Sequence, residues 1–329
     1  MDLKKILDAM GTAELDSLLL LKPENITYLS GYRPTSVSFI IINEEATLYS
    51  SKMDMEAAFK NSNIPLVEFE SIDKLKEDLK GRVGIEKSMP VSIYKKICEG
   101  HELEVTEIIE SARIIKSPDE VKNIKKAIEI AETSLLSMEF QGTESEVAAQ
   151  LEFNLKSNGS IKPSFDTIVA SGKRSSLPHA TITTSNLESP VVIDWGAVYN
   201  NYCSDLTRTL IEGEKQAEIF NIVLEAQQEA IKVIKPGVKA SHVDEVARGV
   251  IEEYGFGDNF IHSTGHGLGL EVHENPTLAK KSEFILEKGM VITVEPGIYI
   301  NDQFGVRIED DVLVKNKGEV LSGIKKTIN

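Results

Sequence analysis

Between Pro190 and Leu210 the chain reads PVVIDWGAVYNNYCSDLTRTL, two alternating apolar runs on either side of Tyr199-Asn200-Asn201. That is the pattern of a β-hairpin. A turn centred between Tyr199 and Asn200 places Asp194 and Asp205 opposite one another on one face. Two carboxylates held that way repel, so the fold needs a shared proton or a cation between them, and a metal is the expectation. A second hairpin, Gly289 to Ile300 against Gly305 to Val314 with its turn near Asp302, sets Glu295 opposite Glu309. Pro296 implies an edge or a bulge there, and a one-residue slip would turn one glutamate to the other face. Chance apposition of surface acids explains one such hairpin; it explains two far less well.

The segment between the hairpins, HSTGHGLGLEVHENP (residues 262–276), carries three of the chain's six histidines. Gly265, Gly267 and Gly269 remove bulk, so backbone can approach a ligand and His266 can be aimed from a tight turn. A phosphate-binding glycine loop does not fit, because no strand passing directly into a helix brackets the segment and no Lys-Ser/Thr ends it. The zinc-protease helix motif fails too: it needs a histidine where Thr277 stands, and Pro276 would break the helix. Four carboxylates and one imidazole form a hard, oxygen-rich donor set. It suits an adjacent pair of manganese, iron, cobalt or zinc ions better than a lone structural zinc. Two such ions activate a water near neutral pH and polarise a carbonyl, so the expected reaction is hydrolysis.

Neighbouring residues have plainer readings. Arg307 shares the strand face of Glu309 and could orient that carboxylate or bind substrate; an ion pair behind the ligands is the simpler role. His262 is expected to support by hydrogen bonding rather than to act as a sixth ligand. Cys203, on the Asp205 face, reads as a small wall residue, since no general base can be placed beside it. Trp195 should face away into the core. His101 and His242 read as ordinary histidines.

The elements that must position these groups recur. Ser117-Pro118 followed by Asp119-Glu120 starts a helix running to about residue 140, with an N-cap, a first-turn proline and acids at the positive end of the dipole. Thr143 with Glu146 is a capping box for a second helix, to about residue 157, and a strand follows at residues 165–170. Residues 214–234 are helical and stopped by Pro236-Gly237; Ser241 with Asp244 opens another helix, to about residue 254. Helix, helix, hairpin thus appears twice, about 100 residues apart. Before residue 113 a small α/β unit is expected, with strands at 15–21, 36–42, 46–49, 66–69 and 82–86 and helices at 53–60, 72–80 and 91–99. It holds no metal or nucleophile constellation, and RIIKSP, from Arg113 to Pro118, is the expected boundary.

A length of 329 residues allows two domains, each with its own core. An apolar fraction of 41% with 27% charged residues is that of a soluble globular protein, and a net charge of -16 argues against nucleic acid or an anionic membrane as partner. Cys98 and Cys203 are too few for a disulfide framework, and the opening MDLKKILDAM lacks an apolar signal core. A cytoplasmic protein without a membrane span is expected.

The runs VVIDWGAVYNNYCSDLTRT, STGHGLGLEVHE, TVEPGIY and GVRIEDDVLV resemble the dinuclear-metal pita-bread metallopeptidases, which include prolidase, aminopeptidase P and methionine aminopeptidase. The resemblance extends from about Ser117 to the end of the sequence. It implies an α/β (α+β) protein: a creatinase/prolidase-like amino-terminal domain over residues 1–113 and a pita-bread catalytic domain over 118–329, made of two related helix-helix-hairpin halves. It implies that Asp194, Asp205, His266, Glu295 and Glu309 bind two divalent ions, Asp205 and Glu309 bridging, and that Glu295 shuttles a proton. His179, in LPHA, and His273, in EVHE, match the family's histidines that hold the substrate carbonyl and the developing oxyanion. The amino-terminal domain and RIIKSPDE are similar to prolidases and aminopeptidase P, and the short second hairpin favours prolidase, hence Xaa-Pro dipeptides as substrate. Thr277 stands where some prolidases carry an arginine that can engage the substrate carboxylate. An aminopeptidase P type enzyme acting on longer peptides is the alternative, and a non-catalytic binding module of the same fold a more distant one. The resemblance also suggests a homodimer.

Overall fold

In the computed structural model, which describes residues 3–327, the first two helix starts of the repeat are built as their side chains dictate. The Ser117 and Thr143 hydroxyls accept from the N–H of Glu120 and Glu146, and each glutamate accepts from the N-cap N–H in return. Each box satisfies two donors that a helix start leaves orphaned. The helices Pro118–Leu136 and Glu144–Ser157 follow, the first ending short of the expected residue 140. The second pair is Glu214–Val233 and Ala240–Glu253. Here the expected cap fails. Lys239 is the N-cap without a side-chain bond, and Ser241 lies inside the helix. Asp244 is buried, pairs with Arg248 at 2.9 Å and accepts from Thr264, so a tertiary partner holds the carboxylate that the pattern assigned to a cap.

Each helix pair packs on a sheet. Ile124, Ile128, Leu151 and Leu155 of the first pair cluster with Val169, Ile193, Trp195 and Leu206, from a three-stranded antiparallel sheet of Ile168–Ser171, Val191–Trp195 and Leu206–Leu210. Phe220, Val223, Val243 and Ala247 of the second cluster with Ile292, Val294, Val312 and Val314. Their sheet runs, in spatial order, Glu274–Leu278, Gly265–Gly267, Val291–Val294, Asp310–Val314, Gly318–Val320. Trp195 is fully buried, as expected, with its indole N–H on Ala131 O at 2.9 Å. This is the doubled helix-helix-hairpin architecture that the sequence pattern implies.

The chain divides into two compact units at Arg113 and Ile114. The first is built on a mixed six-stranded sheet in the order Leu66–Glu68, Ala46–Ser50, Ser38–Ile42, Ser17–Leu20, Arg82–Glu86, Glu102–Thr106. Its central SLLL strand is buried throughout, Leu18 and Leu20 serving one apolar cluster and Leu19 another, the signature of a strand covered on both faces. Sequence reading passes over Leu3–Thr12, Pro23–Ser30, Glu102–Thr106 and Ile108–Ile114. Lys22-Pro23, read as the close of a strand, is instead a helix start with proline in its first turn. Among the described residues no helix is long and apolar enough to cross a membrane.

Candidate metal centre

Asp205, Glu295 and Glu309 lie where the ladders lapse, whereas Asp194 lies within one. In the first, Thr207 rather than Asp205 faces Asp194. The turn is Asn200-Asn201, with φ of 47° and 69°, the left-handed pair that two-residue hairpin turns require and asparagine tolerates. Its centre thus lies one position beyond the expected one, which shifts the pairing by two residues. A two-residue shift preserves the face, so Asp205 becomes a diagonal neighbour of Asp194. In the second hairpin the register is the expected one: Gly297↔Arg307 and Val294↔Asp310 bracket Glu295 and Glu309, and Asp302 turns with φ 56°. Pro296 has no N–H to give, and the strands part on either side of it. Glu295 N donates to Thr264 O at 2.8 Å and Glu309 N to Thr207 O at 3.1 Å instead.

His266 does not sit on a turn. It is the middle residue of the strand Gly265–Gly267, between Glu274–Leu278 and Val291–Val294. The flanking glycines serve the sheet rather than a ligand: a Cβ on Gly265 would stand 2.0 Å from Thr293 O, and one on Gly267 2.2 Å from Asn275 O. Gly265→Ala is therefore expected to cost about 1–3 kcal/mol of stability. Denaturant titration measures it, and an unchanged midpoint would show that the strand has room to move.

Asp205, His266 and Glu309 converge, one ligand atom from each lying within 4.8 Å of the others, and all three are buried. The imidazole Nε2 is 3.3 Å from Glu295 Oε1 and 3.7 Å from Asp205 Oδ2. At the other side of the ring Nδ1 faces Gly267 O at 3.1 Å, so the ring proton belongs on Nδ1 and Nε2 presents a bare lone pair to carboxylate oxygens. Burial, with the His273 ring adding to it, takes the imidazole pKa down to about 4 and keeps it neutral. Asp194 accepts from Arg307 on Oδ2 at 2.6 Å, while its Oδ1 and Glu309 Oε1 are buried with no hydrogen-bond partner among the described residues. Burial first, then the neighbouring carboxylates, push Asp205 and Glu309 well above the usual carboxyl range. Burial likewise pushes Glu295 up to about 8, against the opposing charge of Arg307. The Asp194 charge contributes to all three shifts, so the four acids share one field. Orphaned oxygens, a bare imidazole nitrogen and crowded acids fit divalent cations.

The remaining candidates surround this group. The His273 ring stands 4.3 Å from that of His266, centroid to centroid. Burial lowers the proton affinity of His262 and His273, and His179, on an exposed turn after the short 3-10 helix Gly172–Ser176, is close enough to oppose protonation of both. Arg307 is buried and fully engaged: Nη2 on Asp194, Nη1 on the Tyr299 hydroxyl at 2.8 Å and Nε on Thr207 Oγ1 at 3.1 Å. Its ion pair is thus with Asp194, and Thr207 relays to Glu309, donating to Oε2 at 2.7 Å. Because Tyr299 oxygen accepts from Arg307, its proton goes to His262 Nε2 at 2.9 Å, and His262 Nδ1–H goes to Ser263 O at 2.8 Å. Both ring nitrogens of His262 are thus hydrogen-bonded. Cys203 is buried in the apolar cluster of the first helix pair. Thr207 and Tyr299 escape the sequence reading, although alternation puts Thr207 on the Asp205 face and Tyr299 on the Arg307 face.

Known proteins share this arrangement of elements. The model of the creatinase/prolidase N-terminal domain matches residues 3–115, and that of metallopeptidase family M24 matches residues 122–316. The Xaa-Pro dipeptidases of Pyrococcus furiosus and Pyrococcus horikoshii are each 44% identical over 96% of this chain, and over 95% and 94% of their own lengths. The structure of the prolidase from Pyrococcus furiosus superposes with a TM-score of 0.92 at 43% identity, covering 97% of this chain and 99% of that one. The X-Pro aminopeptidase from Thermotoga maritima gives 0.87 at 34% identity, over 98% and 100%. Divalent metal ions, which this family implies, suit the donors found here. With likeness extending over nearly its whole length, the chain belongs to metallopeptidase family M24.

Proposed function

We propose that the protein is an Xaa-Pro dipeptidase that works with two divalent cations, manganese, cobalt, zinc or iron, held by Asp194, Asp205, His266, Glu295 and Glu309. The observation that carries the metal reading is the bare Nε2 of His266 facing carboxylate oxygens of Glu295 and Asp205. The substrate reading is supported by 44% identity to Xaa-Pro dipeptidases. Asp205 and Glu309, which converge with His266, would contribute ligands at the centre of the pair. When bound, the pair lowers the pKa of a water and polarises the scissile carbonyl.

The chain's own groups do the rest. Glu295, half-buried beside His266, takes the proton of the attacking water and returns it to the leaving proline nitrogen. His179 and His273 donate to the substrate carbonyl and to the charge that develops on it. Arg307 fixes Asp194, and the Thr207 hydroxyl aims Glu309, so that neither carboxylate must reorganise during turnover. Residues 118–329 form the catalytic domain and residues 1–113 an amino-terminal domain without chemistry of its own. The protein is a cytoplasmic homodimer.

Substrate length separates this reading from that of an Xaa-Pro aminopeptidase. With manganese present, kcat/KM for Leu-Pro should exceed that for Leu-Pro-Ala by about 10-fold or more. A preference for the tripeptide would overturn the dipeptidase reading while leaving the metal centre intact.

A further inference from the structure

One carboxylate ties together both ends of the loop that carries His179. Glu144, the first residue of the helix Glu144–Ser157, is wholly buried. Its Oε1 accepts from the N–H of Ser171, where the strand before the loop ends, at 2.9 Å. Its Oε2 accepts from the N–H of Thr183 at 3.0 Å and from the Thr183 hydroxyl at 2.7 Å, beyond His179. From within the loop Arg174 places Nε 3.2 Å from both oxygens, and its Nη2 donates to Thr181 O. Burial favours the neutral acid, yet donors from Thr183 and Ser171 and the Arg174 charge outweigh it and hold Glu144 below the usual carboxyl range. The helix does not need this carboxylate as a cap, because Thr143 and Glu146 already form the capping box. His179 itself is exposed and its ring has no hydrogen-bond partner among the described residues, so its place depends on the backbone beneath it.

We infer that Glu144 is a positioning residue for His179: by fixing Ser171, Arg174 and Thr183 it sets where the imidazole stands relative to the substrate carbonyl. The inference rests on the proposed role of His179. Glu144→Gln keeps the shape of the side chain but turns an N–H donor toward donors already there, so the loop must loosen. Displacing a catalytic donor by a fraction of its bond length costs rate, not metal.

The test is a double-mutant cycle on the manganese-loaded protein with Leu-Pro, metal content being measured for every variant. His179→Ala should lower kcat/KM by about 10²-fold, and Glu144→Gln by about 10-fold or more, with metal content unchanged. The double variant should be no worse than His179→Ala alone. Thr183→Val, which removes the 2.7 Å bond to Glu144 together with the 3.2 Å bond that the hydroxyl accepts from Ser185 N–H, should show the same dependence on His179 with a loss of a few-fold, and it carries the test if Glu144→Gln does not fold. Full activity of both loop variants, or losses that multiply with that of His179→Ala, would overturn the inference and leave the role of His179 standing. Wild-type kcat/KM in His179→Ala would overturn both.

Discussion

Replacing Asp205 with asparagine is expected to lower kcat/KM for Leu-Pro by roughly 10³-fold or more, about 4 kcal/mol of transition-state stabilisation. The asparagine keeps the shape and leaves the backbone N–H of residue 205 free to stay on Asp311 Oδ2, at 3.1 Å, so the local fold has no reason to change. What disappears is half of the anionic donor capacity that Asp205 and Glu309 direct at the centre of the cluster. Steady-state kinetics and elemental analysis together check it: activity and bound metal should fall together, while the far-ultraviolet circular dichroism stays that of the parent. In the metal-stripped state the same variant should melt higher than the parent at pH 8, because it removes one of four mutually repelling carboxyls. Retained activity would remove Asp205 from the centre.

Stripping the metal should make stability depend on pH in one direction. In the metal-free fold Glu295 keeps its proton up to about pH 8, whereas in the unfolded chain it releases it near pH 4.5, so above that pH the folded form binds more protons. Stability then falls as pH rises, and the loss is complete only above the folded value. His262 and His266 act oppositely, both lowered to about 4, but their effect is confined to the range below the ordinary imidazole pKa. Between pH 6.5 and 8 only Lys326, lowered by burial to about 7, acts against the carboxyls, and it does so in metal-loaded and stripped protein alike. Glu295 by itself should remove about 1–2 kcal/mol over that interval, and Asp205 and Glu309, shifted in the same direction, add to it. Divalent cations displace those protons and bind only the folded form, so the gap in melting temperature between metal-loaded and stripped protein should widen as pH rises. Calorimetric scans at pH 6.5 and 8.0 measure it. A gap that stays constant or narrows would mean that the acids do not share one buried field.

Much of this was legible because the relevant physics is local. Alternation of apolar residues and an Asx-rich turn mark the first hairpin, and parity alone keeps Asp194 and Asp205 on one face even though the turn lies one position further along than expected. The capping boxes at Ser117 and Thr143 are readable because both halves of each lie within four residues. What stays hidden depends on partners far along the chain. Ser241-Asp244 imitates a cap, but Asp244 answers to Arg248 and Thr264. Arg208 sits in a strand next to the acids and looks like a solvent-facing residue, yet it is fully buried, pairing with Asp310 at 2.9 Å and gripping Ile324 O and Lys325 O. Glycine around His266 suggests a ligand loop; only the close approach of Thr293 O and Asn275 O reveals a crowded strand. The helix Pro23–Ser30 is missed because a proline that opens a helix and one that closes a strand look alike without the next element.

Acids brought together from two hairpins, with one imidazole, should hold a pair of cations that the reaction needs. Stripped protein titrated with manganese, bound metal being counted per chain while Leu-Pro hydrolysis is followed in the same samples, tests this most directly. Activity absent from the stripped protein and rising to a plateau as the second equivalent fills is the predicted result. Full hydrolysis by protein shown to carry no metal, or a plateau at two equivalents in Asp205→Asn as in the parent, would contradict it.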